Sequence, residues 1–268
     1  MLLYRYLKTH AYETLRDRRF MISPPGKFND ILDCTPKIKG EPSAEILQKR
    51  YGAEGGFIEN ASRAGFTPEA ILSALNSGRL KEIDPKDYAS VAKKVVNDGG
   101  LSKNNLRILC LADSDEYPQT DLRMWRRYAS FGGVRIGLNF DYDPMRDRFA
   151  FLPVRYKDEQ AIFDLSKDDC QGKALDIMSI VSTKLMQWAP EREHRLVTRP
   201  EYCEHVGELD FLPFNPAIVQ RVDIGFAMRP CESKGLVKMI RVKYPNVKIY
   251  RMSFDAAVRK IVYEPWSK

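Results

Sequence analysis

Histidine, paired cysteines and glycine-rich phosphate loops are scarce or missing in this chain, and each shortage argues against a class of chemistry. Only three histidines occur in 268 residues (His10, His194 and His205), and no H-E-x-x-H sets two of them on one helical face. The five cysteines (Cys34, Cys110, Cys170, Cys203, Cys231) are widely spaced, without a C-x-x-C pair. A zinc site and a disulfide framework are both poorly supported by that spacing, and the metal expected is none. There is no G-x-x-x-x-G-K-[ST], no G-x-G-x-x-G after a strand and no G-x-S-x-G, so P-loop, Rossmann and nucleophile-elbow sites are not expected. No apolar run approaches a membrane span, and the start of the chain lacks the apolar centre of a signal peptide. The reading is a cytoplasmic protein of a reducing compartment, with no membrane partner. If it is an enzyme, carboxylate, Arg and Tyr groups must carry the work.

What the chain does have is an ordinary globular composition, 44% hydrophobic and 29% charged. Its length suits a single domain spanning 1–268 and carrying an insertion. The net charge of +7 is concentrated: Arg229–Lys268 holds ten Lys or Arg against three Asp or Glu, an excess as large as that of the whole chain. Together with Arg123, Arg126 and Arg127, this segment suits a polyanion such as nucleic acid. Lysines that merely keep a strand-rich tail soluble would look the same.

Alternation marks the strands. Leu2–Tyr6 opens the chain, with Leu3, Arg5 and Leu7 on one face and Tyr4 and Tyr6 on the other. Thr9 is expected to cap a basic helix running to about Arg18, and Phe20–Ser23 is a second strand that ends at Pro24-Pro25-Gly26. Asn29 and Asp30 follow this turn, where such residues shape loops. Between about 41 and 100, Thr67-Pro68 and Asp84-Pro85 read as helix starts, and Gly78 and Gly99 as stops, which predicts a helical insertion. Leu106–Leu111, Val134–Phe140 and Leu152–Tyr156 read as strands. Asp121 is expected to cap a helix in which Trp125 and Tyr128, three apart, share a face, most simply in the core. Asp158–Trp188 reads as mostly helical, with Leu175, Met178, Val181 and Leu185 at helical spacing. Ala217–Ile224, Lys248–Phe254 and Val258–Tyr263 are further strands, with a helix over Ser233–Val242. Without a regular βαβ rhythm, the fold class is α+β with a mixed or antiparallel central sheet.

One stretch stands out, Trp188-Ala-Pro-Glu-Arg-Glu-His-Arg-Leu-Val197. On a strand, Glu191, Glu193 and Arg195 would project together, opposite Arg192, His194 and Leu196. Two carboxylates and a guanidinium in one row suit a polar ligand or a developing cation. An exposed strand face with an ordinary Glu–Arg ion pair is the plainer reading.

Several pieces resemble the bacterial family catalogued as domain of unknown function 2971: Leu3-Tyr4-Arg5-Tyr6, Phe28-Asn29-Asp30 followed by Asp33, Cys110, Met124-Trp125-x-x-Tyr128-Ala129 and Trp188-x-x-Glu191-x-Glu193-x-Arg195. The sequence departs from that family at Ile31, where Pro usually follows Asn-Asp. More remotely, Arg5, Ser23 and Glu191-x-Glu193 occur in the order in which ADP-ribosyltransferases carry Arg, Ser and Glu-x-Glu, although Pro24-Pro25 stands where Ser-Thr-Ser would continue. This resemblance implies an ADP-ribosyltransferase-like fold and an NAD-cleaving transferase acting on a nucleic-acid or other anionic acceptor, as in a toxin or phage-defence effector. Glu193 would stabilise the ribosyl cation and Glu191 would be the general base. Arg5 would hold an NAD phosphate, Tyr4 or Tyr6 would stack on nicotinamide, Ser23 and Asn29 would line the cofactor site, and Arg195 would orient a carboxylate. Two other readings are a non-catalytic nucleic-acid-binding module and a metal-dependent nuclease using Glu191, Glu193 and Asp30.

Overall fold

Period-two alternation in Leu3–Leu7 produces the first strand, β1, at the centre of the computed structural model of the chain. The structure describes residues 2–40, 106–142, 148–164, 166, 178–255, 257 and 260–267. The helical insertion expected at about 41–100 lies outside the described residues.

The chain divides into two compact units, one formed by Met1–Ser23, Leu106–Tyr156 and Met186–Lys268, the other falling within Pro24–Asn105 and Lys157–Leu185. The elements run β1 (Leu3–Leu7), α1 (Ala11–Asp17), β2 (Arg19–Ile22), β3 (Lys37–Lys39), β4 (Arg107–Ala112), α2 (Pro118–Met124), β5 (Val134–Leu138), β6 (Ala150–Pro153), β7 (Arg155–Lys157), β8 (Ile162–Asp164), β9 (Thr183–Leu185), β10 (Glu193–Thr198), β11 (Glu204–Val206), β12 (Leu209–Pro213), β13 (Val219–Ile224), α3 (Pro230–Lys243), β14 (Lys248–Asp255) and β15 (Lys260–Pro265).

The first unit is built on an eight-stranded sheet of order β15-β14-β13-β5-β1-β4-β10-β6. Its pairs are antiparallel except β13 with β14, so the α+β expectation holds, with a mostly antiparallel sheet. A smaller sheet, β11-β12-β2, pairs antiparallel beside it. In the second unit β3 and β8 pair in parallel, and Asp30 accepts the Leu32 N–H as a loop-shaping Asx contact.

The two faces of the large sheet differ. Leu3, Leu109, Leu111, Val134, Ile136, Leu138, Leu196, Val222 and Ile224 make one face aliphatic, and Leu15 of α1 with Leu236, Val237 and Ile240 of α3 covers it. Each such buried aliphatic side chain stabilises the fold by about 1.5–3 kcal/mol. The other face carries Tyr4, Tyr6, Ala112 and Met252 under Trp125 and Ala129. Cross-strand register extends that row through Cys110, Arg135, Asp223, Glu193 and Arg195, so this face is polar and aromatic.

Two tight glycines close the corner near β5. A Cβ on Gly133 would stand 1.9 Å from the Leu7 carbonyl oxygen, and one on Gly225 would stand 2.1 Å from that of Phe131. Ser130 and Phe131 adopt positive φ of 47° and 55° to bring the chain round before them.

Three local expectations are corrected. Thr9 does not cap α1; His10 takes the cap position in a left-handed conformation (φ 60°), without a side-chain bond. Asp121 is not a cap either, because α2 starts earlier, with Pro118 pre-set for the first turn, and Asp121 is buried within it. The long helix read over Asp158–Trp188 is broken: Ile162–Asp164 and Thr183–Leu185 are strands and Met186–Glu191 is a 3-10 segment. Residues 178–181 keep a helical turn, but Leu185 belongs to the strand β9, so helical spacing alone did not decide the segment.

Candidate functional site

The polar face is organised by a buried guanidinium. Arg135, on β5, is 1% exposed and donates from Nε to Asp223 at 2.6 Å and from Nη1 to Asp121 at 3.0 Å. The rings of Tyr4 and Tyr263 lie against it, each centroid 4.1 Å from Cζ. Tyr6 donates to Asp121 at 2.6 Å and shares a 2.6 Å bond with Ser114, while Trp125 Nε1 donates to the Tyr263 hydroxyl at 2.7 Å. Burying an ion costs several kcal/mol, and here two carboxylates and two aromatic faces offset that cost. Burial raises the Asp223 carboxyl above its usual range even though Arg135 and Arg221 pull it down. Burial likewise raises Tyr4, Tyr6 and Tyr263, so all three are neutral donors at ordinary pH.

Four strands of register connect this nucleus to Glu193. Tyr4 pairs with Ala112 of β4, and Ala112 pairs with Glu193 of β10, so Tyr4 and Glu193 stand in one row on one face. Two strand spacings separate them, about 10 Å. Glu193 is 5% exposed; its Oε1 accepts from Nε of the fully buried Arg195 at 2.7 Å. Its backbone N–H bonds the Tyr156 hydroxyl at 2.7 Å and its carbonyl takes the Val154 N–H at 2.9 Å. The ion pair expected of the Glu-x-Glu-x-Arg stretch is therefore present, but buried rather than on an exposed face. Beside it, burial and then the Glu193 charge push the Cys110 thiol well up, so Cys110 is no thiolate nucleophile at neutral pH.

Glu191 does not lie on the strand. It ends the 3-10 segment, and Arg192 between the two carboxylates has a left-handed φ of 46°, which breaks the alternation. Glu191 is 2% exposed and accepts from the Tyr128 hydroxyl at 2.7 Å. Tyr128 belongs to Trp125–Ala129, which winds as a π-helix over Tyr4, Tyr6 and Ala112. Single π turns inside helices recur at functional sites. From the same segment, Arg127 covers the Trp188 ring at 4.1 Å.

The remaining expected residues are distributed differently. Arg5 alternates onto the aliphatic face, opposite to Glu193; its Nη1 donates to the Cys110 carbonyl at 2.8 Å, and its buried Nε has no hydrogen-bond partner among the described residues. Ser23 forms an isolated bridge with Ile108, four positions along β4 from Ala112. Asn29 is exposed in the other unit. Tyr4, Tyr6, Glu193 and Arg195 thus share a face, Arg5 leaves the opposite one, and Ser23 stands four positions along β4 from the Glu193 row. Arg123, Arg126 and Arg127 are all exposed.

Sequence reasoning missed the Arg135–Asp121–Asp223 nucleus. The available signal was a charged residue at the centre of two otherwise apolar runs, Val134-Arg135-Ile136 and Val222-Asp223-Ile224. Among the described residues, no group of three or more His, Cys, Asp or Glu is arranged to hold a metal ion, and no helix is long and apolar enough to cross a membrane. Comparison with protein-family models, with curated proteins and with solved structures finds no match to this chain.

Proposed function

We propose that this protein is an ADP-ribosyltransferase-like enzyme that cleaves NAD and transfers ADP-ribose to a nucleic-acid or other anionic acceptor. The observation that carries the reading is the Glu193 carboxylate, nearly buried on a central strand, fixed by Arg195 at 2.7 Å and in one row with Tyr4. When the nicotinamide–ribose bond breaks, nicotinamide leaves with the bonding electrons and C1′ becomes cationic; a carboxylate whose direction is already set stabilises that charge without reorganisation. Tyr4 and Tyr6 offer aromatic surface on the same face for nicotinamide. Glu191 takes the acceptor proton, with the Tyr128 hydroxyl between it and the acceptor. Arg5 acts as a positioning residue, holding β1 to β4 through the Cys110 carbonyl. Entry of NAD requires the Trp125–Ala129 segment to move off Tyr4 and Ala112. The toxin or phage-defence role belongs to the same proposal and rests on the family resemblance.

The test is incubation of purified protein with labelled NAD, alone and with RNA, DNA or cell extract. Glu193→Asp, which keeps the charge but withdraws the carboxylate, runs beside Glu193→Gln. Nicotinamide release or label transfer that falls by a factor on the order of 100 or more in both variants supports the proposal. Absence of NAD turnover together with absence of saturable NAD binding by the unmodified protein removes it.

A further inference from the structure

On the aliphatic side of the large sheet, α3 and the β14–β15 pair border an open groove of about 560 Å³. Lys234, Lys238 and Arg241 line it from α3, at helical spacing, and therefore from one helix face. Lys234 and Arg241 are seven residue steps apart, roughly 10 Å along the axis. Arg251 of β14 adds a fourth cation from the floor, and among the described residues Glu264 is the one carboxylate that lines the groove. None of the four cations forms an ion pair with a described residue, although the Arg251 guanidinium lies 5.9 Å from the centroid of the Trp266 ring. Trp266 is half-buried, anchored by its backbone N–H to the Ile249 carbonyl, and faces the same groove.

We infer that this groove binds single-stranded nucleic acid. A file of unpaired cations tracks a phosphate backbone, whereas a single phosphate or a carboxylate would need only one or two of them. An aromatic ring set among those cations supplies the base-stacking platform that sequence-tolerant single-strand binders use. The volume admits a nucleotide. This inference deepens the transferase reading by placing its acceptor. The groove lies five strands from Glu193 in the sheet order, about 24 Å at ordinary strand spacing, and on the opposite face, so a strand held there must pass round the sheet edge to bring a base to Glu193.

Binding is measured without NAD, so its outcome is separate from that of the turnover test. Fluorescence anisotropy of labelled oligo(dT) and oligo(U) of about 16 nucleotides is followed at several salt concentrations. Both strands are expected to bind with a steep salt dependence, and the tighter of the two identifies DNA or RNA as the preferred acceptor. The exposed pair Lys238→Ala/Arg241→Ala is expected to flatten the slope of log K against log salt by about 1.4. Trp266→Leu is expected to weaken binding roughly tenfold with little change in slope. Lys8→Ala, outside the groove, is expected to leave binding unchanged. Absence of salt-dependent binding overturns the inference, as does binding that the double substitution leaves intact. Equal binding of duplex DNA or of phosphatidylserine vesicles through the same residues also overturns it.

Discussion

Glu193 and Arg195, two residues apart on β10 and pointing to the same face, bond at 2.7 Å with both side chains at most 5% exposed. Neither has water to fall back on. Replacing Glu193 by Gln takes a bonded carboxylate away from a buried guanidinium, which costs about 3–5 kcal/mol. Replacing Arg195 by Met costs a similar amount for the opposite charge. The double variant is expected to lose clearly less than the sum of the two. A double-mutant cycle by urea unfolding checks this; additive losses would show that the two charges do not depend on one another.

Alkaline pH is expected to unfold the protein through its tyrosines. Burial raises Tyr4, Tyr6 and Tyr263 far above their ordinary value and Tyr244 to about 12. The unfolded chain releases these protons near pH ~10, while the folded chain keeps them. Their contribution is therefore fully present below pH ~10 and is lost as pH rises toward the folded values. Ultraviolet titration should show these phenols ionising only together with the loss of near-ultraviolet circular dichroism. Smooth titration of all tyrosines in a folded protein would contradict the placement.

Acid has its own sensor. Burial lowers the pKa of His194, which is half-buried and stacked on Phe151 at 5.9 Å. As pH falls through about 6.5, the unfolded state takes up this proton first, so stability declines from there downward. His194→Gln is expected to flatten that slope below about pH 6.5, read from midpoints of urea unfolding.

Two glycine substitutions should have opposite signs. In Gly133→Ala the new Cβ would meet the Leu7 carbonyl oxygen at 1.9 Å, so a loss above about 4 kcal/mol is expected. A Cβ on Gly235, inside α3, meets nothing within 4 Å. Gly235→Ala should therefore stabilise the protein by about 0.5–1 kcal/mol. Thermal unfolding of the two variants compared with the parent measures both.

Sequence alone was informative where a pattern had one cause. The two faces of Leu3–Leu7 were readable because alternation in a central strand reflects burial on both sides, and the helix over Ser233–Val242 lay within the observed Pro230–Lys243. Asp121 was misread because a cap and a buried carboxylate look identical until the partner is known, and its partners Tyr6 and Arg135 come from other strands. The common row expected of Glu191, Glu193 and Arg195 assumed an unbroken strand, and only Glu193 and Arg195 keep it. A left-handed Arg192 is not something its sequence advertises. Nor could spacing reveal that Arg5 and Glu193 would leave opposite faces, since parity is set by cross-strand register through β4.

The join between β1 and β4 gives the large sheet a mechanical character of its own. Tyr4–Ala112 is the one register pair there, whereas β1 meets β5 along five pairs and β10 meets β4 along six. Two well-laced plates meet along a thin seam, with the Arg5 side chain clasping the Cys110 carbonyl as a stitch beside it. Cooperative opening should therefore begin at this seam, with amide exchange at the β1–β4 boundary faster than within either plate. A bending sheet of this kind can alter the distance between Tyr4 and Glu193 while leaving the hydrogen bonding on both sides whole.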